Sequence, residues 1–231
     1  MTQPTMIRRA RGHRPRLLDA FCRQGGAGKG YDDAGFDVTG IDIDPQPLYP
    51  YRFIQGDAVA FIREHGAEFD FIHTSPPCQL DSDCQRLHGN THPDLIDPTR
   101  TALETTGRPW VIENVRGALP KLRQPVMLCG PMFSLETYRH RHFEPGGSFT
   151  LEQLPHPAHM APQAKMGRPV PPGHYGQYVG NFSGVPLARR VMGVPWMTRE
   201  GIRECIPPAY TEWIGRAFLA TAPVPELGAA A

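Results

Sequence analysis

The sequence has no apolar run long enough to cross a bilayer, and no signal peptide opens it. Cysteine is scarce, with five among 231 residues, an odd number without the spacing of a disulfide framework. Reduced thiols in the cytoplasm are therefore expected, without a membrane anchor, rather than a small secreted scaffold. The net charge is only +1, so no overall positive field indicates a nucleic-acid partner. The length suits one globular domain with a small appendage.

Positive charge is nevertheless concentrated before the first apolar run. Five arginines lie there: Arg8, Arg9, Arg11, Arg14 and Arg16. Residues 1–15 are therefore predicted to form a basic N-terminal arm, either a solvated terminus or a segment that contacts phosphate. At the other end, residues 222–231 are predicted to be a flexible tail.

Short apolar runs alternate with helical patterns through the first half of the chain. Strands are predicted at 16–22, 38–43, 52–55, 69–73 and 110–113, helices at 59–65 and 98–106, and a glycine-rich turn at 25–30. This alternation predicts an α/β fold with a parallel sheet covered on both faces, whose ligands lie beyond the carboxyl ends of the strands. The glycine-rich, acidic and Pro-Pro-Cys segments all fall at such ends, which predicts that they form one site.

The pattern changes after residue 144. Residues 145–184 are rich in proline, glycine and histidine and have no periodicity, as in long segments that are functional or disordered. Helical pattern resumes over 185–221, where Pro207-Pro208 opens a final helix. Its apolar face is formed by Trp213, Ile214, Ala217 and Phe218.

Cys78 follows a predicted strand and two prolines that restrict its backbone. A rigidly placed thiol beside a pocket suits covalent catalysis, although buried cysteines are also common core residues. A zinc set of Cys78, Cys84, His88 and His92 lacks the spacing of a structural zinc site, so the sequence predicts no metal.

Three charged residues complete the candidate chemistry. Glu113 ends an apolar strand, where a partly desolvated carboxyl can hold a proton near neutral pH; a solvated surface glutamate is the alternative. Arg139 and Arg141 alternate along a predicted strand and would share one face. Two guanidinium groups on one face can bind a base oxygen and phosphate, or form a solvated edge.

Four ordered motifs resemble those of the cytosine carbon-5 DNA methyltransferases. They are the Phe-x-x-x-Gly-Gly loop from Phe21, Pro-Pro-Cys-Gln at 76–79, Glu-Asn-Val at 113–115 and Arg-x-Arg at 139–141. The resemblance covers about residues 17–218, and the stretches 92–100, 128–133, 139–144 and 206–215 are similar to bacteriophage-encoded members. It implies an S-adenosylmethionine-dependent methyltransferase (Rossmann-like) fold. Residues 16–144 would be the catalytic and cofactor-binding domain, completed by 185–221, and residues 145–184 a reduced target-recognition insertion.

The resemblance also implies a covalent mechanism on a cytosine flipped out of the duplex. Cys78 would add to ring carbon 6, and Glu113 would protonate ring nitrogen 3. Arg141, with Arg139 beside it, would contact the exocyclic oxygen and help to keep Cys78 ionised. Three further positions are assigned to substrate binding: Gln79, Ser82 and Asn114.

For the cofactor S-adenosylmethionine, the resemblance implies contacts from three segments. Asp42 would bind the ribose hydroxyls, Ile43 would pack on the adenine, and Asp57 would accept from the adenine amino group. The complete set is Phe21, Arg23, Gly25, Gly26, Asp42, Ile43, Asp57, Ala58 and Pro77. The glycines would let the backbone approach the methionine part closely, whereas the G-x-G-x-x-G spacing of dinucleotide sites is absent.

The chain departs from the family pattern at several points. Arg23 replaces a small residue in the cofactor loop, Asp81-Ser82 replaces an aromatic residue and serine, and the C-terminal Gly-Asn signature is missing. Three interpretations of Arg23 are open: it is solvated, it pairs with a carboxylate such as Asp19 or Asp81, or it binds a carboxylate of the cofactor. The last includes an unusual cofactor with a carboxylated transferable group.

The partner implied by the resemblance is cytosine-containing, double-stranded DNA, bound by a monomer in the cytoplasm of a bacterial host or a phage-infected cell. Two alternatives stay open. The same chemistry could act on RNA or on a free deoxycytidine nucleotide, or the chain could be a catalytically weak DNA-binding paralogue.

Overall fold

A computed structural model describes residues 14–77 and 94–221 of the chain. Seven strands form one sheet: β1 Arg16–Ala20, β2 Asp37–Asp42, β3 Arg52–Gln55, β4 Phe71–Thr74, β5 Trp110–Asn114, β6 Val126–Leu128 and β7 Arg141–Gly146. Their order across the sheet is β3-β2-β1-β4-β5-β7-β6. The first five strands in this order are parallel, and β7 runs antiparallel to both β5 and β6. The predicted α/β fold is confirmed, and the predicted parallel sheet is extended by two strands in antiparallel pairing, β7 and β6.

Six α-helices accompany the sheet within the described residues. They are α1 Gly26–Ala34, α2 Ala58–His65, α3 Ile96–Thr105, α4 Val185–Met192, α5 Arg199–Glu204 and α6 Pro208–Thr221. Short 3-10 helices span Gly66–Glu68, Arg116–Lys121 and Gly130–Phe133. None of these described helices is long and apolar enough to cross a membrane.

Two apolar clusters lie on opposite faces of the sheet because successive strand residues point in opposite directions. Phe71 of β4 belongs to the cluster with residues of α1 and α6, whereas its neighbour Ile72 belongs to the cluster with residues of α2 and α3. Leu17 and Leu18 of β1 divide in the same way. Helices therefore cover both faces of the sheet, and a ligand-binding site can form only at the ends of the strands.

The glycine-rich segment 25–30 forms the beginning of a helix, so the prediction of a turn over its whole length is wrong. Gly25 has a φ of 83° and caps α1, which begins at Gly26. A Cβ on Gly30 would lie 2.0 Å from the Pro208 carbonyl oxygen of α6. Glycine is required because α1 packs directly on α6, even though it lowers helix propensity by about 1 kcal/mol.

The segment between β7 and α4 is irregular but packed. Residues 147–184 contain no helix or strand, apart from a single bridge between Gln163 and Tyr175. Phe149, near the start of this segment, is buried in the core, and Tyr178, near its end, is buried against α4 and α5. The final helix begins at Pro208, as predicted.

The predicted basic arm and the predicted C-terminal tail lie mostly outside the described residues. Arg8, Arg9, Arg11 and the tail 222–231 lie there. Arg14 is described, and its guanidinium binds the Asp32 carboxylate at 2.5 Å and the Gly35 carbonyl at 3.2 Å, at the end of α1.

Candidate active site

The candidate site lies along one edge of the sheet. Strands β1, β2, β4 and β5 end at this edge, and β7 begins there because it runs antiparallel to β5. The following predicted residues lie along it: Phe21, Asp42, Ile43, Pro77, Glu113, Asn114 and Arg141. The fold thus brings the two halves of the predicted site to the same edge, next to the reversal of strand order between β1 and β4.

Asp42 joins the loops that follow β1 and β2. Its Oδ2 accepts a hydrogen bond from the Arg23 backbone N–H at 3.0 Å, and its Oδ1 accepts one from the Asp44 N–H at 3.1 Å. Phe21 and Arg23 have φ values of 60° and 45°, a strained conformation for these residues. Each carboxylate oxygen has a second lone pair, so Asp42 can still accept from a ribose hydroxyl.

The side chains predicted to hold the adenine are exposed at this edge. Ile43 is 65% exposed, an isolated apolar surface directly after Asp42. Asp57 caps α2, because its Oδ1 accepts from the Ala60 N–H at 2.9 Å. Ala58 is the first, buried residue of that helix. The helix cap is therefore sufficient to explain an aspartate at position 57 without a contact to adenine.

The two loop glycines are constrained by contacts within the protein. A Cβ on Gly25 would lie 2.9 Å from Pro50 Cδ, and one on Gly26 would lie 2.5 Å from Cys205 Sγ. Close approach of a cofactor is therefore not needed to explain either glycine.

Arg23 pairs with carboxylates, as one of its three interpretations expects, and its partners among the described residues are Glu204 and Asp44. Its Nε lies 2.5 Å from Glu204 Oε2, and one terminal nitrogen lies 3.3 Å from Asp44 Oδ2. The Arg23 side chain is 47% exposed. It links the loop after β2 to the end of α5, while Asp81 lies outside the described residues.

Asp19 of β1, the other carboxylate considered as a partner of Arg23, is instead hydrogen-bonded to a tyrosine. The Tyr49 hydroxyl donates to Asp19 Oδ2 at 3.1 Å. Burial raises the pKa of Asp19 to about 8, which the Tyr49 hydrogen bond opposes only in part. The sequence gives no sign that Tyr49 is the partner of Asp19, because Tyr49 lies between β2 and β3, 30 residues after Asp19.

Glu113 and Arg141 form a buried pair on the other side of the edge. Arg141 Nε lies 2.9 Å from Glu113 Oε1, although its N–H does not point at that oxygen. Glu113 Oε1 is buried and accepts no hydrogen bond from any described residue. Burial raises the pKa of Glu113, while the positive charge of Arg141 and hydrogen bonding by Ser75 oppose the shift. A buried carboxyl of this kind can deliver a proton.

Asn114 fixes the segment that leads to the predicted nucleophile. Its Nδ2 donates to the Pro76 carbonyl at 2.9 Å, and its Oδ1 accepts from the Val115 N–H at 2.9 Å. Pro77 is exposed, and Cys78 follows it directly in the chain. Cys78, Gln79 and Ser82 lie outside the described residues.

Ser75 was not predicted as a site residue, yet its side chain joins β4 to Glu113. Its hydroxyl lies 3.1 Å from His73 Nε2, and its hydrogen bonding to Glu113 opposes the rise in the pKa of that carboxyl. Burial lowers the pKa of His73 to about 3, so this histidine is neutral. The run of polar residues just before Pro-Pro-Cys was the available sequence signal.

Arg139 is fully engaged by the main chain, which corrects the prediction that both arginines share a strand face. It precedes β7, and its Nε donates to the Cys205 carbonyl at 2.7 Å. Its terminal nitrogens donate to the carbonyls of Tyr178 at 3.0 Å and Arg203 at 2.6 Å. Burial lowers its pKa to about 9. Arg139 therefore ties the start of β7 to the C-terminal part of the chain.

The cysteines among the described residues are poor nucleophiles. Cys22, Cys129 and Cys205 are free and buried. Burial raises the thiol pKa of Cys129 to about 11 and that of Cys205 to about 12, and it also raises that of Cys22. Since the thiolate is the reactive form, the other two cysteines, Cys78 and Cys84, are left as candidates.

Neither a protein-family profile nor a curated protein sequence matches the chain. Solved structures do match. The methyltransferase EhMeth of Entamoeba histolytica is similar over 92% of this chain and 100% of its own, at 10% identity and a TM-score of 0.55. The Dnmt2 methyltransferase of S. pombe matches 57% of this chain at 18% identity and a TM-score of 0.42. An S-adenosylmethionine-dependent methyltransferase from Agrobacterium tumefaciens matches 45% at 21% identity and a TM-score of 0.30.

This chain spans 49% of the S. pombe protein and 40% of the Agrobacterium protein. At 10% identity, the likeness to EhMeth concerns the fold alone. The chain therefore shares the fold of the methyltransferase EhMeth, and the seven-stranded α/β sheet described above is the central element of that fold in this chain.

Proposed function

We propose that the protein transfers a methyl group to carbon 5 of cytosine in DNA, through a covalent adduct between Cys78 and a flipped base. The observation that carries this proposal is the buried pair of Glu113 and Arg141, at the same sheet edge as Asp42 and Ile43. Asn114, the residue after Glu113, holds the segment that leads to Cys78.

The residues divide the chemistry as follows. The Cys78 thiolate forms a bond to carbon 6 while Glu113 gives its proton to ring nitrogen 3, so carbon 5 becomes nucleophilic. S-adenosylmethionine supplies an electrophilic methyl group when bound. After carbon 5 takes the methyl group, it loses its proton to a base, the carbon 6–sulfur bond breaks, and the nitrogen 3 proton returns to Glu113. Arg141 contacts the exocyclic oxygen.

Other predicted residues keep or change their roles in this proposal. Asp42, Ile43 and Asp57 are assigned to the ribose and adenine of the cofactor. Arg139 becomes a positioning residue, because its guanidinium binds three carbonyls of the C-terminal part. Since Arg23 is already paired with two carboxylates, plain methyl transfer is favoured over transfer of a carboxylated group.

DNA is favoured as substrate by the motifs, including the stretches that resemble bacteriophage-encoded methyltransferases. The irregular residues 147–184 are too few for a separate recognition domain. They can supply only a few base contacts, each worth about 1–3 kcal/mol of discrimination. We therefore expect methylation within a short sequence context or with little selectivity.

Incubation of the full-length protein with labelled S-adenosylmethionine tests the substrate. Duplex DNA, RNA and a deoxycytidine nucleotide are offered separately, and the labelled nucleoside is identified after digestion. Labelled 5-methyl-2′-deoxycytidine from the duplex supports the proposal. Label confined to RNA or to the free nucleotide, or no label at all, contradicts it and favours one of the alternatives.

A fluorocytosine-containing duplex tests the nucleophile, because fluorine at carbon 5 prevents release of the enzyme. Wild type should form an adduct that survives denaturation, and Cys78→Ser should form none while binding cofactor normally. Cys84→Ser is the matched control and should still be trapped. An adduct retained in Cys78→Ser would place the nucleophile elsewhere.

A further inference from the structure

Four metal-ligating side chains meet beyond β6 and the start of β7, outside the site described above. Cys129 follows β6, and His140 directly precedes β7. His156 and His159 belong to the irregular segment that follows β7. One ligand atom from each of the four residues lies within 4.8 Å of all the others. Three separate parts of the chain therefore converge on one point.

Two of the six distances between these ligand atoms match the edges of a tetrahedral zinc site. Zinc lies about 2.0–2.1 Å from nitrogen and about 2.3 Å from sulfur, which places two nitrogens about 3.3 Å apart and nitrogen and sulfur about 3.6 Å apart. Here His140 Nε2 and His156 Nε2 are 3.2 Å apart, and Cys129 Sγ and His159 Nε2 are 3.4 Å apart.

Neighbouring contacts hold the imidazole rings in this arrangement. The His159 ring stacks on the Tyr138 ring with centroids 3.8 Å apart, and the His140 and His156 rings stack at 5.4 Å. The Tyr138 hydroxyl donates to the Ala161 carbonyl and accepts from the Ala161 N–H, both at 2.8 Å. Tyr138 thus fixes the segment on which His159 lies, as outer-shell residues of metal sites do.

We propose that Cys129, His140, His156 and His159 bind a structural zinc ion that fastens the irregular segment to the sheet. One thiolate and three imidazoles are a donor set that zinc prefers. Four protein ligands fill a tetrahedral shell and leave no position for a substrate, so the ion has no part in the chemistry.

The location gives such an ion a clear structural effect. Residues 147–184 have a single bridge in place of regular secondary structure, so little main-chain pairing holds them. His140 directly precedes Arg141, the residue that pairs with Glu113. A zinc ion would therefore fix the irregular segment beside the proposed base-binding residues, and its binding free energy would contribute to folding.

Zinc content and a cobalt spectrum test the proposal. The full-length chain, purified without chelator or a metal-affinity tag, should contain about one zinc ion per chain. Cobalt(II) in place of zinc should give the visible bands of a tetrahedral site and a thiolate-to-cobalt charge-transfer band, which Cys129→Ser should lose. His156→Ala and His159→Ala change exposed residues, so these variants test the site if Cys129→Ser fails to fold.

Loss of an outer-shell partner typically weakens metal binding by about 10–100-fold. Each histidine variant loses a ligand and should therefore weaken zinc binding by more than this. The matched control is His174→Ala, a histidine of the same segment outside the cluster, which should bind zinc as wild type does. Absence of zinc from the purified and the zinc-incubated protein would overturn the proposal. The proposal would also be overturned if His156→Ala and His159→Ala bound zinc as tightly as the control. Either result would mean that the histidines of the cluster stack on one another without binding a metal.

Discussion

The cofactor side and the base side of the sheet edge hold their charged residues in different ways. On the cofactor side, Asp57 accepts from the Ala60 N–H, and Asp42 accepts from the N–H groups of Asp44 and Arg23. On the base side, Glu113 pairs with Arg141, and Arg139 donates to carbonyls more than thirty residues away. The carboxylates of the cofactor side are thus held by backbone N–H groups, whereas the base side depends on side-chain pairing and on carbonyls of the C-terminal part, which the cofactor side reaches through Arg23 and Glu204.

Burial separates the two sides as well. Arg23 on the cofactor side forms half-exposed ion pairs, and such pairs contribute about 0–1 kcal/mol. Buried charges behave differently, because removal of one partner leaves the other desolvated without compensation, at about 3–5 kcal/mol. We therefore expect substitutions on the base side to have larger effects than those on the cofactor side.

The largest effect is expected for Glu113→Gln on the base side. The amide has no acidic proton to give, so the rate of methyl transfer by the folded enzyme should fall by about 10²–10⁴-fold. Burial raises the pKa of Glu113. The wild-type rate should therefore be highest when Glu113 is protonated and fall as the pH rises through this pKa. Single-turnover rates across pH measure both effects.

Glu104→Gln is the control for this substitution, because Glu104 pairs with Arg123 at an exposed position. Its rate and pH profile should match those of wild type. A Glu113→Gln enzyme with the same rate and the same pH dependence as this control would remove Glu113 from the mechanism.

Arg139→Met should produce the largest loss of stability. Two buried carbonyls and one half-buried carbonyl lose their donor, so the free energy of unfolding should fall by about 3–5 kcal/mol, since each unsatisfied group costs about 1–3 kcal/mol. Arg189→Met is the control, since the half-buried Arg189 donates to one carbonyl, that of Met197. It should lose about 1 kcal/mol. Urea denaturation measures both, and equal losses would show that the C-terminal connection of Arg139 contributes little.

The same contrast explains how far the sequence predicts the fold. The strand at Arg52–Gln55 and the helix that begins at Pro208 follow from local apolar pattern and from proline, and both were predicted. The helix at Gly26–Ala34 was not, because its Gly30 is required by contact with α6, a partner distant in sequence. Local helix propensity therefore fails to predict a helix where tertiary packing requires a residue that disfavours one.

The candidate site shows the same limit. Motif resemblance predicted that Glu113 and Arg141 belong together, and the fold brings them within 2.9 Å. It could not predict that Arg139 would bind the main chain of residues 178–205. The convergence of Cys129 with His159 was equally hidden, because their separation matches no familiar zinc spacing.

On the cofactor side, Asp19→Asn should change how stability depends on pH. The pKa of Asp19 is about 8 in the folded protein and near 3.8 when solvated. Between these values the folded state holds a proton that the unfolded state releases, so stability falls as the pH rises, by at most about 1.4 kcal/mol per pH unit.

The amide that replaces the Asp19 carboxyl does not titrate, so this contribution should vanish while the Tyr49 contact is kept. Unfolding measured at several pH values between the two pKa values tests this. Asp70→Asn is the control: Asp70 accepts from the Arg16 N–H at a half-buried position, and its variant should retain the wild-type slope. Identical slopes in Asp19→Asn and wild type would mean that Asp19 is ionised in the folded protein.

The smallest effect is expected for Arg23→Ala. The variant loses two half-exposed ion pairs, with Glu204 and Asp44, so stability should change by about 0–1 kcal/mol. The Arg23 backbone N–H still donates to Asp42, so the loop keeps its shape and S-adenosylmethionine should bind as tightly as to wild type. Calorimetric titration measures this, with Glu204→Gln as the control that removes only one partner. If Arg23→Ala alone weakened binding about tenfold, which corresponds to about 1.4 kcal/mol, the guanidinium would contact the cofactor, and mass spectrometry of the product nucleoside should then be searched for an acidic substituent at carbon 5.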